Sequence, residues 1–215
     1  MRAWFRHLKQ RLSGRPAQPA RPPEPAAVQQ PTLPAKRYAN VHVHLGGAGL
    51  ANHNEADGAH ILRAADRAKD TLHVSIDLRE FDTQSKQNVQ HLQTDFHAGL
   101  RRLANGSADI ITSELAVGHY AAPNAEKRPG EIQKYCKTIF DETYRKLRPG
   151  GVLVLVLGDE FARNAVTSAL KQTHFQQKNI NIKAIPRARV QKGSYWLKRY
   201  AEQFKGQPYR IAVRK

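Results

Sequence analysis

Val41-His42-Val43-His44-Leu45-Gly46-Gly47-Ala48-Gly49 is the stretch on which the reading of the fold turns. Alternating Val41, Val43 and Leu45 give one apolar face, the pattern of a buried β-strand, and the strand runs directly into glycines. Glycine lets the backbone turn sharply and come close to a ligand where a Cβ would intrude. A helical pattern follows over 55–69, with Asn52 or Asn54 placed to cap it and Ile61, Leu62, Ala65 and Ala68 on its apolar face. Leu72–Ile76 then reads as a second strand ending at Asp77. Strand, glycine turn, helix and a strand closed by a carboxylate form the nucleoside-binding half of a doubly wound α/β fold.

Further elements continue the alternation. Val89–Asp95 reads as a third strand and Ala108–Glu114 as a fourth. Between Gly130 and Leu147, Ile132, Cys136, Ile139, Phe140, Thr143 and Leu147 recur at helical spacing. The turn Arg148-Pro149-Gly150-Gly151 leads into Val152–Leu157, an unbroken apolar run that suits a central parallel strand covered on both faces. Phe161, Ala165, Val166, Ala169 and Leu170 mark a helix over 161–173, and 180–185 and 209–213 alternate as closing strands.

The formal charge of +17 is segregated: +7 over residues 1–40, −2 over 41–160 and +12 over 161–215. A near-neutral body between basic ends suits an anionic macromolecule gripped by the ends, with chemistry in the middle. Residues 1–35 divide into a basic segment, 1–12, carrying Trp4, Phe5, Leu8 and Leu12, and a proline-rich linker. The basic segment fits a nucleic-acid arm, a membrane-surface helix or a transit-like peptide, and is too short and charged to span a bilayer. One folded domain is expected over 36–215, with a basic and aromatic insertion at 186–208. Cys136, the single cysteine, excludes an intrachain disulfide and a cysteine-built zinc site, and a reducing compartment is the default. The expected location is cytoplasmic, or an organellar matrix if residues 1–35 are a transit peptide. No histidine pair has zinc spacing with further ligands; His42 and His44, two residues apart, come nearest, so no metal is expected.

The ordered set HLGGAG at 44–49, Asp77, Asp95, ADIITSEL at 108–115 and LRPGG at 147–151 resembles the class I S-adenosyl-L-methionine-dependent methyltransferases over roughly residues 38–215. The resemblance implies a Rossmann-like doubly wound sheet, mostly parallel, closed by a C-terminal antiparallel hairpin. It implies a cofactor site built from His44, Gly46, Gly47, Gly49, Asp77, Asp95 and Phe96. The glycines would present main-chain N–H groups to the cofactor carboxylate. Asp77 would take the ribose hydroxyls, and Asp95 with Phe96 would meet the adenine. His44 stands where the family usually has an acidic residue, and Ala48 where glycine is common. Acceptor-side candidates follow the fourth strand: Glu114, His119 and Tyr120, any of which could serve as a base if the acceptor must lose a proton. The expected substrate is RNA or an RNA-associated protein, with Arg187, Arg189, Lys192, Lys198 and Arg199 holding phosphate and Trp196 stacking on bases. The rival expectation is a non-catalytic protein of the same fold that binds RNA or a ribonucleoprotein particle.

Overall fold

The computed structural model describes residues 38–46, 58–84, 86–118, 129–191, 197, 198, 202 and 206–215, all within one unit spanning Thr32–Lys215. The basic segment, the proline-rich linker and the Asn52 and Asn54 caps lie outside the described residues.

Seven strands form one sheet: β1 (Asn40–Leu45), β2 (Thr71–Asp77), β3 (Val89–Gln93), β4 (Ala108–Glu114), β5 (Leu147–Leu157), β6 (Ile180–Ala184) and β7 (Tyr209–Arg214). Their order is β3-β2-β1-β4-β5-β7-β6. The first five run parallel, and β7 is antiparallel to both β5 and β6. The helices are α1 (Ala59–Arg67), α2 (Phe96–Arg101), α3 (Pro129–Lys146), α4 (Glu160–Leu170) and the short α5 (Arg187–Val190).

Register sorts the side chains into two faces. Val43 pairs with Val74 and Ile111, Ile111 with Leu153, and Leu153 with Val213, so these residues share a face. Ile76, Leu100, Ile132, Ile139, Phe140, Leu155, Val166 and Ile211 join them in the main core, beneath α2, α3 and α4. Cys136 lies in this core, and burial pushes its thiol up to about 12. Helix α1 packs against β2 and β3 through a smaller cluster of Ile61, Leu62, Ala65, Phe81 and Val89. Asn88 fixes its C-terminal end, its amide donating to the Ala65 carbonyl at 2.9 Å.

Four expectations are corrected here. Helix α1 is entered through Gly58, at φ 72°, where Phe81 lies against the glycine and a Cβ would strike the ring at 2.1 Å. Strand β3 stops at Gln93, and Asp95 is the N-cap of α2, its carboxylate accepting from Ala98 N at 2.9 Å. Strand β5 is not equally covered on its two faces: Leu153, Leu155 and Leu157 are buried while Val152, Val154 and Val156 are half-exposed. Phe161, expected on the apolar face of its helix, is exposed, because the buried face of α4 is formed by Ala162, Val166, Ala169 and Leu170 and Phe161 lies off it.

Candidate functional site

The strand order reverses between β1 and β4, and in open α/β sheets ligands bind outside the carboxyl ends of the strands at such a switch point. Gly46 sits there, at φ 78°, its N–H donating to the Ile76 carbonyl at 2.9 Å. A Cβ on Gly46 would come to 2.7 Å from Ala116 Cβ and 3.6 Å from Phe96 Cζ. Three elements therefore close on one glycine: β1, the segment after β4 and the first turn of α2. Gly47 and Gly49 lie outside the described residues.

Asp77 ends β2 one strand away and is half-buried. One carboxylate oxygen accepts from Arg79 N at 3.0 Å, which tucks the chain back and leaves the other oxygen without a partner among the described residues. Asp95 is exposed, with one oxygen committed to capping α2. Tyr135 of α3 lies near it: burial first, then the Asp95 charge, pushes the tyrosine hydroxyl up to about 12. Phe96 is half-buried and packs on the core with its ring edge toward Gly46. Gly46, Asp77, Asp95 and Phe96 thus share the carboxyl edge of the sheet.

His44 has a different surrounding. It projects from the sheet face opposite the main core, with His42 two residues earlier, and register sets His42 against His73 and His44 against Thr112. His44 Nε2 and His73 Nδ1 are 3.1 Å apart, His44 Nδ1 and Thr112 Oγ1 3.3 Å, and His42 Nε2 and the same hydroxyl 3.1 Å. Both ring nitrogens of His44 are therefore engaged inside the protein. Burial, reinforced by the neighbouring imidazoles, holds His42 down to about 4 and His44 well below its usual value. Burial also lowers His73. All three rings are neutral at pH 7. Sequence reading singled out His42 and His44 but not His73, whose placement depends on which residue of β2 faces which of β1.

Glu114 closes β4, half-buried. The next residue, Leu115, has φ 55°, a left-handed conformation that costs a non-glycine residue about 1–2 kcal/mol. The strain turns the chain off β4, and Leu115 packs with Val190 and Leu197, with Val156 and Ile185 alongside. Val190 and Leu197, which lie between β6 and β7 in the chain, are thereby held near the carboxyl ends of β4 and β5. Arg187 and Arg189 are exposed there and Lys198 is half-buried. Leu197 is buried. His119, Tyr120, Lys192, Trp196, Arg199, Tyr200 and Phe204 lie outside the described residues.

Five parallel strands reversing at β1 and β4, with an antiparallel β7 inserted between β5 and β6, define the Rossmann-like fold of the class I methyltransferases. No protein-family model matches the sequence, and no curated protein does. Solved structures do match. A 16S rRNA methyltransferase, KamB, aligns at 12% identity and TM-score 0.54 over 84% of this chain and 89% of its own. A SAM-dependent methyltransferase from Archaeoglobus fulgidus aligns at 11% identity and TM-score 0.52 over 85% and 89%. Geranyl diphosphate C-methyltransferase from Streptomyces coelicolor A3(2), bound to S-adenosyl-L-homocysteine, aligns at 14% identity and TM-score 0.52 over 81% and 69%. The likeness establishes the fold, and it extends over enzymes acting on both ribosomal RNA and a small molecule.

Proposed function

We propose that this chain is an S-adenosyl-L-methionine-dependent methyltransferase acting on RNA or on a protein held in an RNA assembly. The observation that carries the reading is the strand-end cradle: Gly46 at positive φ, pinched by Ala116 and Phe96, with the Asp77 carboxylate one strand away. A glycine with no room for a Cβ and a carboxylate oxygen without a partner among the described residues suit a ligand that has an amino-acid end and a ribose. The cofactor would supply an electrophilic methyl on a sulfonium. Gly46, with Gly47 and Gly49, would hold its amino-acid end, Asp77 its ribose, and Asp95 with Phe96 its adenine. Positioning supplies most of the rate in such an in-line transfer. Glu114, His119 and Tyr120 follow from β4 on the acceptor side, where one can take a proton if the acceptor is a ring nitrogen or hydroxyl.

The RNA assignment rests on charge. Arg187 and Arg189 precede Val190 and Lys198 follows Leu197, and both apolar residues pack on Leu115 just past β4; the same stretch of sequence carries Lys192, Trp196 and Arg199. Cations that neutralise phosphates next to the methyl-transfer site would orient a polynucleotide across it. One observation favours the rival, a non-catalytic RNA-binding protein of this fold. His44, at the position of the usual acidic residue, spends both nitrogens on Thr112 and His73.

Calorimetry of the purified full chain with S-adenosyl-L-methionine and S-adenosyl-L-homocysteine separates the two. Saturable binding that Asp77→Ala weakens by about 1–3 kcal/mol, the cost of unpaired hydroxyls, supports the enzyme. Affinity for RNA with no heat from either cofactor form supports the rival.

A further inference from the structure

The histidines of β1 and β2 form a cluster that the methyltransferase reading leaves without a task. Two hydroxyl-bearing residues, Thr112 and Ser75, flank His44 in register on either side. If Thr112 donates its proton to the Val43 carbonyl, 3.3 Å away, its oxygen accepts from His42 Nε2–H and His44 Nδ1–H. His44 Nε2 is then bare and accepts from His73 Nδ1–H, which leaves His73 Nε2 as a lone pair. That atom is fully enclosed and has no partner among the described residues, and the hydroxyl of Ser75, on the same sheet face, is likewise enclosed and unpaired among them. Reversing the proton directions only exchanges the bare nitrogen for an unpaired N–H. Buried polar atoms are nearly always satisfied, so two orphans on one face call for a missing partner.

The ligating atoms of His42, His44 and His73 all lie within 4.8 Å of one another. Imidazoles 2.0–2.1 Å from a tetrahedral ion have their nitrogens about 3.4 Å apart, so the 3.1 Å His44–His73 pair already has nearly the required spacing. We propose that His42, His44 and His73 bind one divalent transition-metal ion of the zinc class. Three imidazoles with no carboxylate in the set favour zinc, copper, nickel or cobalt over magnesium or calcium. Coordination replaces the imidazole–imidazole hydrogen bond: the His73 proton passes from Nδ1 to the bare Nε2, so that His44 Nε2 and His73 Nδ1 both turn lone pairs to the ion and no proton is released. Three protein ligands leave a fourth position open to water or an anion. His42 is the half-exposed member and gives the ion its way in. The site joins β1 to β2 on the face opposite the main core and stands whether or not the chain transfers methyl groups.

The test uses the full chain without a histidine tag, stripped by chelator and titrated with Zn²⁺ in calorimetry, and with Co²⁺ while the visible spectrum is recorded. One equivalent of Zn²⁺ with micromolar or tighter affinity is expected, and Co²⁺ should develop the intense ligand-field bands of a four- or five-coordinate complex. His42→Gln and His73→Gln should each weaken binding by more than about tenfold, the least that loss even of a supporting partner costs a metal site. His174→Gln, beside Tyr144 and away from the cluster, should bind as the parent does. If His73→Gln does not fold, the half-exposed His42 decides the question alone. No saturable binding, or binding that is unchanged in the folded substitutions, overturns the site.

Discussion

Acidification from pH 7 to pH 5 should destabilise the metal-free protein by an amount set by its buried histidines. His42 is held at about 4 against an ordinary 6.5, chiefly by burial and then by the facing His73 and His60, while its ring lies 4.0 Å from that of His44. Its folded-state value is depressed, so the unfolded chain takes up the proton first. The stabilisation is complete above pH 6.5 and disappears as the pH falls toward 4. Integrating the proton uptake of the two states gives a loss of about 2 kcal/mol from His42 between pH 7 and pH 5. His44 is displaced in the same direction, chiefly by burial, and adds to this loss. Urea unfolding followed by circular dichroism at pH 7, 6 and 5, with chelator present, measures it. His42→Gln should reduce the pH dependence by about 2 kcal/mol. A parent protein that loses less than about 1 kcal/mol over this interval, or a variant with an unchanged slope, would refute the reasoning.

Three further outcomes are expected. Gly46→Ala should lower stability by at least about 1–2 kcal/mol from the left-handed backbone alone, and should abolish cofactor binding in calorimetry because the new methyl group would overlap Ala116. Cys136, enclosed in the core with its thiol raised to about 12, should resist Ellman's reagent in native buffer and react at once in denaturing urea. Replacing both Arg187 and Arg189 by alanine should flatten the log–log salt dependence of single-stranded RNA binding by about 0.7 for each phosphate that is no longer neutralised, with the unfolding midpoint unchanged because both side chains are exposed.

Local pattern made the sheet legible. The strands carry their own local signal, an alternation in β1 and an unbroken apolar run in β5, and β4 spans the residues read for it, Ala108–Glu114. The edge of the candidate site was legible for the same reason, since Gly46 and Asp77 lie where strands visibly stop. Features that depend on a second element were not. Val152, Val154 and Val156 look as apolar as their neighbours, and only the assembled sheet reveals that their face of β5 is incompletely covered. Asp95 reads equally as a strand end or a helix cap, and the Ala98 N–H decides for the cap. His73 could not be joined to His42 and His44 from spacing, because parallel register is fixed by packing between segments far apart in sequence. Gly58 gave no helix signal, as its role comes from the Phe81 ring beneath it.

The insertion of β7 between β5 and β6 bears on how the protein is made. During translation β5 and β6 emerge before β7, and neither pairs with the other in the finished sheet. Until Tyr209–Arg214 has left the ribosome, one side of β5, among the most apolar strands of the molecule, keeps its amides and carbonyls unpaired. An open edge of this kind is a template for pairing with another nascent chain. Arrival of β7 closes it in one step, with Lys215 N–H bonding the Gly151 carbonyl and Gly150 N–H bonding that of Lys215. Chains interrupted within 158–208 should accordingly depend on ribosome-associated holding factors far more than chains that reach Arg214.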